Sequence, residues 1–389
     1  MREIAFPSLA VELVELVAGH LDSGSLLNLR LVCWDLHDKT FHHFAQRSFA
    51  SVKSNLSEES LARINALAQH QALRPYVRGL AFVLQDGVGR GLKLDRHPWG
   101  ELCNILQVKP IKRLQDNLIK NLTNCRSFFI FCRYPEGQGP DMTHVTITDA
   151  VAIFFAFVVD NTPFHIESFH LIYANRHSRT LIMDMRRLPK LLYRQPQFKR
   201  SWSSLQKLSL EQYLTLDNFG FLLELVLSAP NLHTLLLNIG SHDLACEFMH
   251  ELAETAVFSQ LHEFALFRTS VRAPDLLKLL GDIRPSLNSL TFYHVSLAHD
   301  DSWNSVLGEL NQGFTSLCSL SLYYLWAVAQ TPEVLSFPDL QKTPMFCDVP
   351  NQGLRMFYSE TSTSPSILGI EYSGSKMSQV LGLLQDTTG

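Results

Sequence analysis

The chain has 389 residues, 33 Lys and Arg against 37 Asp and Glu, a formal net charge of −4, and 46% hydrophobic residues. That apolar content excludes a disordered chain, and so small a charge excludes a protein held to nucleic acid or a membrane surface by bulk electrostatics. Seven cysteines, an odd number with no Cys-x-x-Cys pair, fit reduced thiols in the cytoplasm or nucleus. The length sets a prior of two or three domains. Glu12 and Glu15 interrupt the N-terminal aliphatics, so no signal pattern is read there. The longest apolar run, Ala150 to Val159, is too short to span a bilayer. These features predict an intracellular protein with no membrane span.

Residues 6 to 36, FPSLAVELVELVAGHLDSGSLLNLRLVCWDL, hold two short helix candidates. Ser8 is positioned as an N-cap, and Leu9, Leu13, Leu16, Val17 and Leu21 follow at helical spacing. Asp22-Ser23-Gly24 breaks that helix, and Ser25 is positioned to cap the next. In the second, only Asn28, Arg30 and Asp35 interrupt a run of Leu, Val, Cys and Trp. A helix apolar on nearly every side must be covered on nearly every side. A unit of roughly 40 residues is near the lower limit for folding on its own core. The missing cover must come from the rest of the chain or from a partner.

The segment resembles an F-box. The family pattern runs Leu-Pro-x-Glu-Leu, spaced aliphatics, then Leu-x-x-Leu-Arg-x-Val-Cys-x-x-Leu. It is matched by Leu9, Glu12, Leu13, Val17, Leu21, Leu26, Leu29, Arg30, Val32, Cys33 and Leu36. The order and spacing look like the fungal type, with Trp34, Phe41 and Phe44 continuing into a third helix. Ala10 stands where the family has proline, and Pro7 lies three residues too early to replace it. The resemblance implies that these residues dock on the Skp adaptor of a cullin ubiquitin ligase. An ordinary helical hairpin packed on its own domain is the alternative.

Farther along, SEESLARINALAQH reads as a helix and YVRGLAFVL as a strand. Five segments then carry the pattern L-x-x-L-x-L: SLQKLSL, NLHTLLL, QLHEFAL, SLNSLTF and SLCSLSL. Their first leucines, Leu205, Leu232, Leu261, Leu287 and Leu317, are 27, 29, 26 and 30 residues apart. The segments between them show helical spacing. HIESFHL reads as an earlier, divergent unit preceded by the helix candidate TDAVAIFFAFVVDN, and ILGIEYSG with KMSQVLGLLQD as a last strand and helix. This second resemblance is to leucine-rich repeat solenoids, whose units share one continuous core. The expected architecture is therefore α/β: a three-helix F-box over 1–48, a helical linker over 49–76, and a curved repeat solenoid over 77–389, clearest over 201–326. Parallel strands would line its concave face with the helices outside.

Catalytic signatures are absent from the sequence. His250-Glu251 and His262-Glu263 each lack the second histidine of a zinc protease helix, and no P-loop or Gly-x-Ser-x-Gly elbow occurs. Ser373 and Lys376 match a hydrolase spacing without its partner motifs. Gly87, Gly89 and Gly91 read as a flexible loop or an insertion, since they lack dinucleotide-fingerprint spacing. The sixteen histidines show no paired ligand spacing, so neither a metal nor a cofactor is expected.

Two features point to partners. Between Arg176 and Arg200 lie eight basic residues and one acid, Asp184. Within this stretch Arg186, Arg187 and Lys190 are candidates for docking an acidic or phosphorylated partner, the alternative being a solvated insertion. Just after the last pattern residue of each repeat stand Glu211, Asn238, Phe267, Tyr293 and Tyr323. Phe267, Tyr293 and Tyr323 would form an aromatic column able to anchor a recruited protein, unless the C-terminal stretch with SETSTSPS folds back over them.

The resemblances together imply a non-catalytic receptor: the F-box joins the Skp adaptor and cullin scaffold while the repeats hold a protein substrate for ubiquitination. Substrate capture of this kind acts by raising effective concentration. A scaffold with the same helices that promotes no ubiquitination, or a hydrolase or transferase hidden between 78 and 200, are the alternatives.

Overall fold

The computed structural model describes residues 9–84, 87–132, 145–160, 165–173, 183–240, 243–298, 301–328, 331–337, 353–358 and 367–387. Four short helices come first: α1 (Val11–His20), α2 (Ser23–Arg30), α3 (Trp34–Lys39) and α4 (Phe41–Phe49). Asp22, expected only as a breaker, caps α2, its carboxylate accepting from the Ser25 amide at 2.9 Å and the Ser25 hydroxyl at 2.7 Å. Ser25 therefore lies inside the helix it was expected to cap. Ala10 occupies the N-cap of α1 without a side-chain bond, and Ser8 lies outside the described residues. The expected second helix divides because the Leu31 and Val32 amides bond back three residues, to Asn28 and Leu29, and Cys33 turns extended. Three predicted helices thus become four.

The remainder alternates strand and helix. In chain order the elements are β1 (Ser51–Ser54), α5 (Glu58–Gln69), β2 (Gly79–Leu84), α6 (Lys109–Lys120), β3 (Ser127–Cys132), α7 (Ile147–Val159) and β4 (Ser168–Tyr173). Then come α8 (Lys190–Arg194), α9 (Pro196–Trp202), β5 (Lys207–Glu211), α10 (Leu216–Leu227), β6 (Thr234–Asn238), α11 (Asp243–Thr255), β7 (Glu263–Phe267) and β8 (Ser270–Val271). The last are α12 (Ala273–Ile283), β9 (Ser289–Tyr293), β10 (Ser296–Leu297), α13 (Trp303–Gly313), β11 (Ser319–Tyr323), β12 (Trp326–Val328), β13 (Thr331–Val334), β14 (Arg355–Tyr358), β15 (Ile367–Ser373) and α14 (Met377–Thr387).

One eleven-stranded sheet runs β1-β2-β3-β4-β5-β6-β7-β9-β11-β15-β14. Its strands are parallel through β11, and β15 and β14 then add antiparallel. The expected parallel strands make up nine of the eleven, and the two at this end run antiparallel. A parallel stack leaves an open edge, and here β15 pairs with the β11 edge while α14 packs against α13. Strands β8, β10, β12 and β13 form a small second sheet.

A repeated hydrogen-bond device marks every parallel step. Two successive amides at the start of each strand donate to one carbonyl of the preceding unit: Arg78 and Gly79 to Ala50, Arg126 and Ser127 to Arg78, Glu167 and Ser168 to Arg126, and so on to Cys318 and Ser319 on Asn288. The divergent units before residue 205 therefore share the geometry of the five recognisable ones. β1 belongs to this series, so the stretch expected as a helical linker contributes the first strand and, with α5, the first unit of the solenoid.

Alternate strand residues face the helices and are buried, among them Leu208, Leu210, Leu235, Leu237, Leu290, Phe292, Leu320 and Leu322. This core is continuous from Leu56 to Leu384 and includes nothing from α1–α4, whose own interior is Val14, Ala18, Leu26, Leu36 and Ala45. α7, apolar on every side, is buried along almost its whole length. Its outer side is covered by α8 and α9, with Phe155 against Phe198 at 4.9 Å and Trp202 at 5.9 Å.

Candidate functional site

The residues that alternate away from the core line the open face of the sheet. In register across it, Phe267 pairs with Tyr293 and Tyr293 with Tyr323. Their ring centroids are 6.2 and 5.8 Å apart, so the expected aromatic column exists as geometry. It is longer than the sequence suggested. Tyr323 pairs with Gly369 on β15, which pairs with Phe357 on β14. A Cβ at Gly369 would lie 2.8 Å from the Tyr323 ring. The missing side chain lets Phe357 reach across to Tyr323, with centroids 4.8 Å apart. Residues 359–366, the whole of SETSTSPS, lie outside the described residues; β14 and β15 extend the column. The Tyr323 phenol is pushed up to about 12 by burial and by the adjacent Glu371 carboxylate, and so remains a neutral hydrogen-bond donor.

Toward β5 the row continues into Asn238 and Glu211, which are paired. Between them and the rings lies a cavity of about 350 Å³, floored by Leu236 and bounded by Ser209, Glu211, Asn238, Phe267, Arg268 and Tyr293. A second column escaped sequence reasoning. Arg268, His294 and Tyr324 follow the row residues directly and adopt left-handed backbone, with φ of 48°, 54° and 49°. Their amides donate to Tyr293 O at 2.8 Å, Tyr323 O at 2.8 Å and Leu368 O at 2.9 Å. The His294 imidazole stacks on Tyr324 at 4.6 Å and 12°. The sequence signal was position, one residue after the pattern; of the three, only His294 is of a type enriched at positive φ.

On the N-terminal strands the same face carries Phe129 stacked on His170 at 4.3 Å and 8°. Ser168 Oγ lies 2.7 Å from His170 Nε2. Burial, then Lys207, lowers the His170 imidazole to about 4. A histidine whose folded value is depressed stays neutral in the fold while the unfolded chain takes up a proton below about 6.5. Stability contributed by neutral His170 is thus full above pH 6.5 and falls as pH drops toward 4. Urea unfolding between pH 7 and 4.5 should show this slope, and His170→Phe should flatten it. An unchanged slope in the variant would remove His170 from the account.

The basic stretch separates into unlike parts. Arg186 is exposed and pairs with Asp184, Nε to Oδ1 at 3.0 Å. Arg187 is buried, its NH2 donating to Asp149 Oδ2 at 3.0 Å, and Asp149 also takes two bonds from Arg96, at 2.7 and 3.0 Å. Arg187 is thus internal, where a docking partner does not reach it, because the fully buried Asp149 carboxylate needs compensation. Lys190 opens α8, and its side chain lies outside what the structure describes.

The residues matched to the F-box pattern also divide. Leu26, Arg30 and Leu36 are buried inside the helical module. Arg30 donates to His37 O at 2.7 Å and sits 4.1 Å from the Phe44 ring centroid, and burial lowers its pKa. It ties α2 to α3 and α4. Leu9, Leu21, Leu29 and Cys33 are half-buried, while Glu12, Leu13, Val17 and Val32 are exposed. α1 is apolar on two faces: Val14 and Ala18 turn inward, while Leu13, Leu16 and Val17 turn out, Leu16 at 62% exposure. Leu31 and Trp34 are 84% and 81% exposed in and beside the α2–α3 turn. Eight of the fourteen large apolar side chains that stand exposed among the described residues lie between Val11 and Trp34, a concentration of uncovered apolar surface on this module.

Among the described residues no three His, Cys, Asp or Glu side chains gather as metal ligands, and no helix is long and apolar enough to cross a membrane. Gly87, Gly89 and Gly91 all have positive φ, and a Cβ at Gly89 would strike Val145 at 2.2 Å. The expected flexible loop is here a closely packed turn.

No protein-family model matches the chain, and no curated protein does. Among solved structures the chain is similar to one described as "Crystal structure of Rad7 and Elc1 complex in yeast", at 13% identity over 83% of this chain and 90% of that one. The TM-score of 0.27 makes this a likeness of outline that carries no argument about function.

Proposed function

We propose that this chain is the substrate-recruiting subunit of a Skp–cullin–F-box ubiquitin ligase in the cytoplasm or nucleus, with α1–α4 binding the adaptor and the open face of the sheet holding a protein substrate. The observation that carries the reading is the outward apolar surface of α1 and the α2–α3 turn, on the segment whose residues resemble an F-box. Leu13, Leu16, Val17, Val32 and Trp34 stand exposed, an apolar surface that an adaptor would bury. The aromatic row offers the kind of side chain that dominates binding energy at protein interfaces. On this reading the receptor carries no catalytic group, and ubiquitin transfer is accelerated by proximity alone.

Affinity purification of the tagged full-length chain beside one lacking residues 1–48 tests it. Adaptor and cullin retained only by the full-length chain support the receptor role. Adaptor without cullin points to a scaffold, and loss of both proteins from both chains discards the reading.

A further inference from the structure

We propose that the cavity between β5 and β9 selects an extended peptide segment carrying a bulky apolar side chain next to an acidic residue. This rests on the reading of the open sheet face as the receptor surface, and it names the class of sequence recognised there. The cavity, about 350 Å³, is large enough for one big side chain and too small for a folded element. Leu236 forms its floor, and it stands between the small residues Ser209 and Ala265 in the same register row. Phe267 and Tyr293 make one apolar wall. A Trp, Phe or Leu side chain lying on Leu236 against these rings would bury one face of its surface.

The acidic preference comes from Arg268. It lies on the cavity rim beside Phe267 and Tyr293. Among the described residues its guanidinium has no hydrogen-bond or ion-pair partner. Its backbone is held at φ 48° by the bond from its amide to Tyr293 O. An L residue in that region is strained, and glycine would fit without that steric strain. The half-buried Arg268 thus stands at a fixed backbone position on the cavity lining. A carboxylate on the occupant pairs with Arg268 beyond the end of β7, while the cavity's own carboxylate, Glu211, stands on β5, two strands away. The aromatic row continues beyond the cavity through Tyr323 to Phe357. With strands about 4.8 Å apart, an occupant crosses it as an internal extended stretch of several residues.

The test uses full-length protein and fluorescein-labelled Gly/Ser peptides of about twelve residues, long enough to cross the sheet. Their central pairs are Trp-Asp, Trp-Asn, Trp-Lys and Ala-Asp, read by fluorescence anisotropy. Trp-Asp should bind about fivefold more tightly than Trp-Asn and about tenfold more tightly than Ala-Asp. Arg268→Lys should retain a preference for Asp, and Arg268→Glu should transfer it to Trp-Lys. Arg268→Gly should lose the preference while raising the melting temperature, which separates recognition from any structural role. Equal affinity for Trp-Asp and Trp-Asn, no change in Arg268→Glu, or no binding by any peptide overturns the proposal. Co-purification of the adaptor with Arg268→Glu is scored separately: its loss from the wild type counts against the receptor reading, while its retention without peptide selectivity counts only against the cavity.

Discussion

Replacing Asp149 with alanine should cost about 3–5 kcal/mol of stability, as expected for removing one partner of a buried charge cluster. The carboxylate is fully buried and accepts from Arg96 through both oxygens and from Arg187 NH2. It also accepts the Thr146 amide at 2.7 Å and hydroxyl at 2.9 Å, closing the capping box at the start of α7. Its loss uncaps the most deeply buried helix and leaves two guanidinium groups facing each other without an anion. Arg187→Met should cost less, because Asp149 keeps Arg96 and the Thr146 bonds. Urea unfolding at neutral pH measures both, and a loss below about 1 kcal/mol for Asp149→Ala would show that the arginines find other partners. This cluster also explains how the Arg187 expectation failed. Charge in a local stretch says nothing about which arginine the tertiary fold takes inside.

The second large effect is expected on partner binding with little on stability. Leu16→Glu combined with Val32→Glu places two charges on the outward face of α1 and the α2–α3 turn, where exposure is 62% and 67%. Titrated against purified Skp adaptor, the double variant should bind at least about a hundredfold more weakly, because each charge would have to be desolvated in an apolar interface. Its unfolding free energy should stay within about 0.5 kcal/mol of wild type per substitution, as for surface changes generally. Val14→Ala, one position from Leu13 but on the inward face, should do the reverse and lower stability. If the double variant binds the adaptor like wild type, α1 and the turn are not the docking surface.

Much of the solenoid was legible. The L-x-x-L-x-L spacing located β5, β6, β7, β9 and β11, since each buried strand leucine must recur once per stacked unit. The residue after each pattern located the aromatic row for the same reason. The earlier units were harder. β3 reads SFFIFC and β1 reads SVKS, neither with the leucine pattern. Their membership shows in the paired amides donating to one carbonyl, which is backbone geometry open to many side chains. In the N-terminal helices the apolar content was plain, but its direction was not. Leu13, Leu16 and Val17 obey the same helical spacing as an inward stripe, and the module buries Val14 and Ala18.

The sequence by itself determined the strand–helix alternation, the apolar N-terminal helices and the row of rings, because each follows from local periodicity. Tertiary structure alone decided the rest. Phe357 joins Tyr323 through a glycine on an intervening antiparallel strand, Arg268 is held left-handed at a cavity rim, and Arg187 turns inward to Asp149. These are contacts between residues far apart in the chain or backbone states without a residue signature, so no local pattern encodes them.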